Sequence, residues 1–367
     1  MVDEFFTVDG RFEGRLEQSP EVTDCLSKPL RIYYGIEWRC NLDCAFCGPS
    51  VPRVRGHGSV LPDRRRETFL LKQIAEAGTF QVQLTGGEIF IRGHGLLDTL
   101  EEVRGLGLAV MLGTNGVWRN IPDRREFAAR LAGFKNLVEI KVSIDGTEAF
   151  HDSVRGRGTY QEARRTLVAL ADCGLPVRIN TTIFKESCTF EQIEHVARLA
   201  REFNAALQVI PERSCGRSKG KTEYELPSRQ ELQRFTTRAR QLREELGLRI
   251  SFNFDILGGG PRLPNYDPGR PFSCGAGLWG FAVTHQGEVY PCGFTIDVGD
   301  GKPFLAGRIS DERSLLEIWR ESEVLRRWRN AGKPAECRAC AHYGASCWGG
   351  CMVQAWMSHG SLSAMDP

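Results

Sequence analysis

Nowhere in the 367 residues do about eighteen apolar residues run together, so no segment has the length and apolarity of a membrane-spanning helix. The opening MVDEFFTVDG lacks a basic stretch followed by an apolar core, which excludes a conventional secretory signal. Charge of one sign is also lacking. Lys and Arg number 48 and Asp and Glu 46, a formal net charge of +2, so there is no global electrostatic reason to expect nucleic acid or an anionic membrane as partner. No repeat at solenoid spacing and no low-complexity tract is present. What remains is a cytoplasmic globular chain, long enough for one large domain plus a smaller one.

Cysteine is not lacking: there are 13. In a small secreted chain that number would suggest a disulfide framework, but this chain is large, unsignalled and unevenly spaced in cysteine, so thiolate ligation of metal is the better reading. Nine fall into two groups, Cys40, Cys44 and Cys47 near the start, and Cys274, Cys292, Cys337, Cys340, Cys347 and Cys351 near the end. Cys25, Cys173, Cys188 and Cys215 are scattered and read as small buried hydrophobes.

Between about residues 31 and 247, short β-branched runs alternate with amphipathic stretches, the pattern of repeated βα units around a parallel sheet. Six strands are predicted, at 31–38, 81–87, 109–115, 138–145, 177–184 and 206–212. Thr159-x-x-Glu162, Thr189-x-x-Gln192 and Ser228-x-x-Glu231 each have capping-box form, and Gly247 is a natural helix stop after Leu232, Phe235, Ala239, Leu242 and Leu246. Polar and glycine-bearing residues gather after the strands, which in a parallel barrel places them at one end. After residue 248 the pattern changes to short strands, glycine-rich loops and cysteines. The expected division is an N-terminal extension over 1–30, a core over 31–247 and a second domain over 248–367.

In CNLDCAFC, three thiolates in one short loop can hold three irons of a cubane cluster and leave the fourth iron without a protein ligand. A zinc knuckle is the alternative, and it would want a fourth Cys or His nearby. The nearest histidine, His57, lies ten residues downstream across a Pro/Gly-rich loop. Cys-x3-Cys-x2-Cys after a first strand resembles the signature of the radical S-adenosylmethionine (SAM) superfamily, and implies a partial (β/α)6 TIM-like barrel. By that resemblance Phe46 lies by the SAM adenine. Thr85-Gly86-Gly87-Glu88 is similar to the motif that binds the SAM amino group, its glycines permitting close approach and Glu88 accepting from an ammonium. KVSIDG (141–146) and HDSVRGRGTY (151–160) resemble a pairing of one branch of the superfamily, implying Ser143 and Arg155 near the SAM ribose and carboxylate. A surface ion pair is the alternative for Arg155. Asn115 is a further candidate SAM contact, and both it and Asp145 could equally be strand-end caps. CGRSKGK (215–221) looks like a Gly-Arg loop of that branch, although a solvated basic loop would read the same way.

The later cysteines run Cys274-x12-Gly-x4-Cys292, then Cys337-x2-Cys340-x6-Cys347-x3-Cys351, with Gly287 in a tight hairpin leading to Cys292. This resembles the SPASM/twitch extension, a small cysteine-rich domain that binds auxiliary 4Fe-4S clusters, and residues 305–321 resemble the segment between its two halves. The resemblance implies Cys274, Cys292 and Cys351 for one auxiliary cluster and Cys337, Cys340 and Cys347 for another. The sequence departs from the pattern in the six-residue gap before Cys347 and in lacking a seventh cysteine. His342 and His359 become candidate ligands by proximity. A zinc ribbon on Cys337, Cys340, Cys347 and Cys351 would leave Cys274 and Cys292 unexplained.

The resemblance implies that the first cluster passes an electron to SAM, that a 5'-deoxyadenosyl radical abstracts a substrate hydrogen, and that auxiliary clusters take up an electron, for a net oxidation. It implies a flavodoxin or ferredoxin as electron donor. The first-choice substrate is a ribosomally made peptide, although the stretch before the barrel is too short for a leader-binding domain. The runner-up is a dehydrogenase or epimerase of a sugar or aminocyclitol, in which Cys215 after the last strand could donate a hydrogen atom. Gly293 stands where related sulfatase-maturing enzymes have an aspartate, which disfavours that activity. A non-catalytic iron-sulfur electron carrier would have no need of Gly87, Glu88 or an open three-cysteine loop.

Overall fold

The computed structural model describes residues 25–53, 63–213, 215–252, 275–332, 334–340 and 349–366. The strands are β1 Arg31–Glu37, β2 Gln81–Gly86, β3 Ala109–Thr114, β4 Leu137–Ser143, β5 Val177–Ile183 and β6 Ala206–Pro211, followed by β7 Ile250–Phe252, β8 Gly280–Thr284, β9 Glu288–Tyr290 and β10 Gly307–Arg308. Among the described residues they form one sheet in the order β10-β9-β8-β1-β2-β3-β4-β5-β6-β7. Pairing is parallel from β8 through β1 to β7 and antiparallel at β8-β9 and β9-β10. The six predicted strands are therefore present within a residue or two of the expected bounds, in a partial α/β barrel.

The change of pattern after residue 248 does not end the sheet. β7 adds a seventh parallel strand beside β6, and β8 pairs with β1 from Arg31↔Gly280 to Gly35↔Thr284, so the C-terminal part grows from the barrel's first strand. Gly287 closes the β8-β9 hairpin, its amide donating to Thr284 O at 2.8 Å.

The helices are α1 Arg64–Glu76, α2 Gly95–Gly105, α3 Arg124–Ala132, α4 Glu148–Arg155, α5 Thr159–Asp172, α6 Phe190–Glu202, α7 Arg229–Leu246, α8 Leu315–Glu321, α9 Glu323–Arg329, α10 Ala335–Arg338 and α11 Met352–His359. Their start signals fared differently. Ser228 and Glu231 form a full capping box. Thr189 accepts from Gln192 N, but the Gln192 side chain instead takes the amide of Thr147. The expected box at Thr159 does not form: α5 is capped by Asp152, whose carboxylate accepts from Gly158 N and from Tyr160 N at 2.9 Å, so the aspartate from the previous helix displaces the local threonine. A carboxylate on two amides is a stronger acceptor than a hydroxyl.

The apolar faces of the helices pack on the outer face of the strands, where Ile32, Val82, Leu84, Leu112, Ile140, Ile179 and Leu207 are buried. Each such side chain contributes about 1.5–3 kcal/mol on burial. The other face of the strands is polar. There Arg178 pairs with Glu139 at 2.7 Å and Lys141 Nζ donates to Gln83 Oε1 at 3.1 Å. That face lines the barrel lumen, which is polar where a closed barrel would have an apolar packed core. No helix among the described residues is long and apolar enough to cross a membrane.

Candidate functional site

The C-terminal ends of β1 to β6 converge on the cysteine loop. β1 enters it through a register shift between Gly35 and Glu37, and a bulge of this kind re-aims the chain at a strand end. Cys40 N donates to Pro52 O at 3.0 Å, which closes the loop at its base, and Cys47 N donates to Cys44 O at 3.3 Å within it. Ala45 N reaches Val154 O of α4 at 3.0 Å. Beneath the loop, Glu37 is buried and binds Arg39 at 2.7 Å and Arg92 at 3.3 Å.

Two N–H groups point at the Cys40 sulfur, Leu42 N at 3.4 Å and Asn115 Nδ2 at 3.6 Å. Burial, and then the charge of Glu88, pushes the free Cys40 thiol up to about 12, and burial likewise raises Cys44 against the pull of Arg155. A bare thiolate is costly here, whereas a metal deprotonates a coordinating thiol outright and the two donors then stabilise the sulfur. Among the described residues no three His, Cys, Asp or Glu side chains converge on one ion position. Three thiols in one short loop, two of them pushed up by burial that ligation would relieve, suit an iron-sulfur cluster. The loop's chemistry therefore fits the cluster.

Gly86 and Gly87 serve the loop itself. A Cβ on Gly86, whose φ is +133°, would stand 2.0 Å from Glu37 O, and one on Gly87 would stand 2.1 Å from Arg39 O. The amides of Gly87 and Glu88 donate to those same carbonyls at 2.7 and 2.9 Å. The close approach read from the sequence is thus made first by the protein's own backbone. Glu88 is fully buried and caps the following turn: it accepts from Phe90 N at 3.0 Å, Thr114 Oγ1 at 2.8 Å and Asn115 N at 2.6 Å. Burial pushes its carboxyl up to about 7 against the opposing pull of those bonds. Thr114 passes the connection on, accepting from Trp118 Nε1 at 3.1 Å, and Trp118 stacks on Phe90 at 4.2 Å.

Asn115 is brought to the cysteine loop. Its amide nitrogen also donates to Asn41 Oδ1 at 2.9 Å, and Asn41 in turn holds Val117 O at 2.6 Å. Phe46 packs against Phe184 and Tyr224 with ring centroids 5.7 and 6.1 Å apart. The Arg155 guanidinium lies 5.2 Å over the Phe46 ring. Arg155 is not a surface residue: its Nε and Nη2 are engaged by the buried carboxylate of Asp145, which burial alone would raise but which Arg155 holds below the usual carboxylate range. Ser143 ends β4, half-buried, opposite Asn180 of β5. Cys215 is buried after β6, with its sulfur 3.3 Å from where a Gly48 Cβ would stand, and burial pushes its thiol up to about 12.

At the other end of the sheet, Cys292 follows β9 and Cys351 precedes α11, and both pack on one apolar cluster with Tyr290, Phe304, Trp328 and Met352. Cys337 and Cys340 belong to the separate α10 turn, where Cys340 N donates to Cys337 O at 3.0 Å. Cys274, Cys347 and His342 lie outside the described residues. His359 is exposed on the last turn of α11. Cys25, Cys173 and Cys188 are partly buried against the main core. The sequence reading missed Asp43, Asn41, Phe184 and Tyr224, for which no spacing signal exists, and left Arg217 undecided, although it binds the loop through Asp43 at 2.5 Å.

Residues 39–200 match the profile of the radical SAM superfamily. The chain belongs to that superfamily. Residues 274–341 match an iron-sulfur cluster-binding (SPASM) domain, so this radical SAM enzyme uses SAM, a 4Fe-4S cluster and auxiliary iron-sulfur clusters. It is 27% identical over 350 residues to the mycofactocin maturase MftC of Mycolicibacterium smegmatis, covering 93% of this chain and 83% of that protein. It is 28% identical over 345 residues to the PqqA peptide cyclase of Xanthomonas euvesicatoria, covering 92% and 87%. The structure of Streptococcus suis SuiB bound to precursor peptide SuiA shares the fold, with a TM-score of 0.72 at 18% identity, over 94% of this chain and 76% of that one.

Proposed function

We propose that this radical SAM enzyme oxidises or crosslinks a ribosomally made peptide. One observation carries the reading: the alignment to a mycofactocin maturase and a PqqA peptide cyclase spans more than nine-tenths of the chain. The polar lumen agrees with it, since a peptide backbone brings hydrogen-bonding groups that an apolar barrel would leave unpaired.

When bound, the cluster and SAM supply one-electron chemistry that removes a substrate hydrogen. The chain's residues do the rest. Cys40, Cys44 and Cys47 would hold the cluster, and the Leu42 and Asn115 N–H groups disperse charge on the Cys40 sulfur. Arg155, locked by Asp145, holds its guanidinium over the Phe46 ring, which packs with Phe184 and Tyr224, a place for a carboxylate beside a flat ring. Cys292 and Cys351, with Cys274, would hold one auxiliary cluster, and Cys337, Cys340 and Cys347 the other. Clusters held by those cysteines would supply the electron sink of a net oxidation, and the electron donor this reading calls for is a flavodoxin or ferredoxin.

The test is anaerobic incubation of reconstituted enzyme, SAM and dithionite with short peptides encoded beside its gene, read by mass spectrometry. A peptide product short of two hydrogens, formed with 5'-deoxyadenosine, is expected. Turnover of an aminocyclitol or sugar with no peptide product would overturn the peptide reading and leave the superfamily assignment intact.

A further inference from the structure

The loop after β6 reaches back across the barrel to the cysteine loop. Arg217 N donates to Cys47 O at 3.0 Å. The guanidinium of the same residue donates from Nη1 to Cys44 O at 3.3 Å and from Nη2 to Val51 O at 2.9 Å, and Nη1 lies 2.5 Å from Asp43 Oδ1. One arginine thus gathers four acceptors spread over residues 43–51, a segment with almost no regular secondary structure of its own. The approach depends on Gly216. Its φ is +62°, and a Cβ there would stand 2.1 Å from Gly48 O and 2.5 Å from Cys47 O. The clasp is itself anchored, because the buried Ser218 hydroxyl bonds the Glu212 carboxylate at 2.6 Å.

We propose that Arg217 is a positioning residue for the SAM-cleaving cluster: it fixes the Cys44–Cys47 half of the loop and sets a positive charge beside the cluster. Cys40 is held from the other side by Asn115 and the middle of the loop by Ala45 N on Val154 O, so removing the Arg217 side chain frees the Cys44 and Val51 carbonyls and the Asp43 carboxylate and loosens the loop on that side. Loop carbonyls cannot organise themselves, since each only accepts; a planar fork spreads its donors over three nitrogens at fixed angles, whereas a lysine offers its three donors from one rotating nitrogen. Reduction adds an electron to the cluster, and a nearby cation favours the reduced form, with Asp43 offsetting part of the effect. The inference rests on the radical SAM assignment and not on the peptide reading, and no measurement below requires a peptide.

The test compares reconstituted wild type with Arg217→Gln, Arg217→Lys and Gly216→Ala. The SAM-binding cluster is singled out by the part of the reduced EPR signal that shifts on adding SAM. In Arg217→Gln we expect a lower midpoint potential for that signal, and iron loss from that cluster to a chelator roughly tenfold faster, the scale of losing one charge-assisted bond. Iron on the C-terminal cysteines should stay at the wild-type level. Arg217→Lys should restore the potential but not the slow iron loss, and Gly216→Ala should speed iron loss with the charge still present. Wild-type potential and chelation rate in Arg217→Gln would overturn the proposal. So would equal loss of iron from both ends of the protein, which would mark the arginine as a general structural support. Should Arg217→Gln not fold, wild-type chelation rates in both Arg217→Lys and Gly216→Ala would overturn it as well.

Discussion

Arg155, on the last turn of α4, closes Nε and Nη2 on the carboxylate of Asp145, just beyond β4, and Asp145 also accepts the amide of Thr182 at 2.9 Å. Asp145 is fully buried and the Arg155 side chain is only 10% exposed, so neither can lose the other cheaply. Asp145→Ala should destabilise the protein by about 3–5 kcal/mol, because it leaves a buried guanidinium uncompensated. Anaerobic urea denaturation measures this, and a change under about 1 kcal/mol would mean that solvent reaches the pair.

Replacing Cys40, Cys44 and Cys47 together by alanine should abolish reductive SAM cleavage while leaving about eight of some twelve irons, the outcome expected from the proposal that the C-terminal cysteines hold two further clusters. Iron and sulfide analysis with an assay of 5'-deoxyadenosine decides both points. If only about four irons remain, and a Cys347/Cys351 double alanine variant loses none, a single auxiliary cluster is present.

Glu88 holds three donors, Phe90 N in its own turn and Thr114 Oγ1 and Asn115 N at the end of β3. Glu88→Ala orphans them, at a cost of about 2–4 kcal/mol, and should lower stability and SAM affinity together. Calorimetric SAM binding and thermal unfolding on the same sample separate the roles: a roughly ten- to hundredfold affinity loss at unchanged Tm would make Glu88 a ligand rather than a strap.

Lys141 projects into the lumen, where burial lowers its ammonium to about 8 from the ordinary 10.5 despite the nearby Glu139 carboxylate. Between those values the unfolded chain binds more protons than the folded one, so this group's contribution to stability rises with pH across that window. Lys141→Met should therefore be more stable than wild type at pH 7, by the order of 1–3 kcal/mol, with the advantage shrinking as pH rises from about 8 to 10.5. A constant difference across that range would show that the lysine is solvated and not the source of the effect.

The sequence by itself determined the six core strands, the family and the cysteine candidates, because these depend on order along the chain: strand alternation, short ligand spacing and helix stops are local signals. Tertiary structure decided what the motif residues touch. Gly86 and Gly87 read as room for a ligand, yet they admit the carbonyls of Glu37 and Arg39. Thr159 read as a cap, yet Asp152 took the amides. Arg217 could have been a solvated basic residue, and its partner carbonyls lie 166 and 173 positions away. β8 gave no sign that it would pair with β1. The physical reason is common to these cases. Backbone carbonyls and amides are offered by every residue, so a contact made to them over a long separation leaves no trace in side-chain pattern and exists only once the sheet has brought the two loops together.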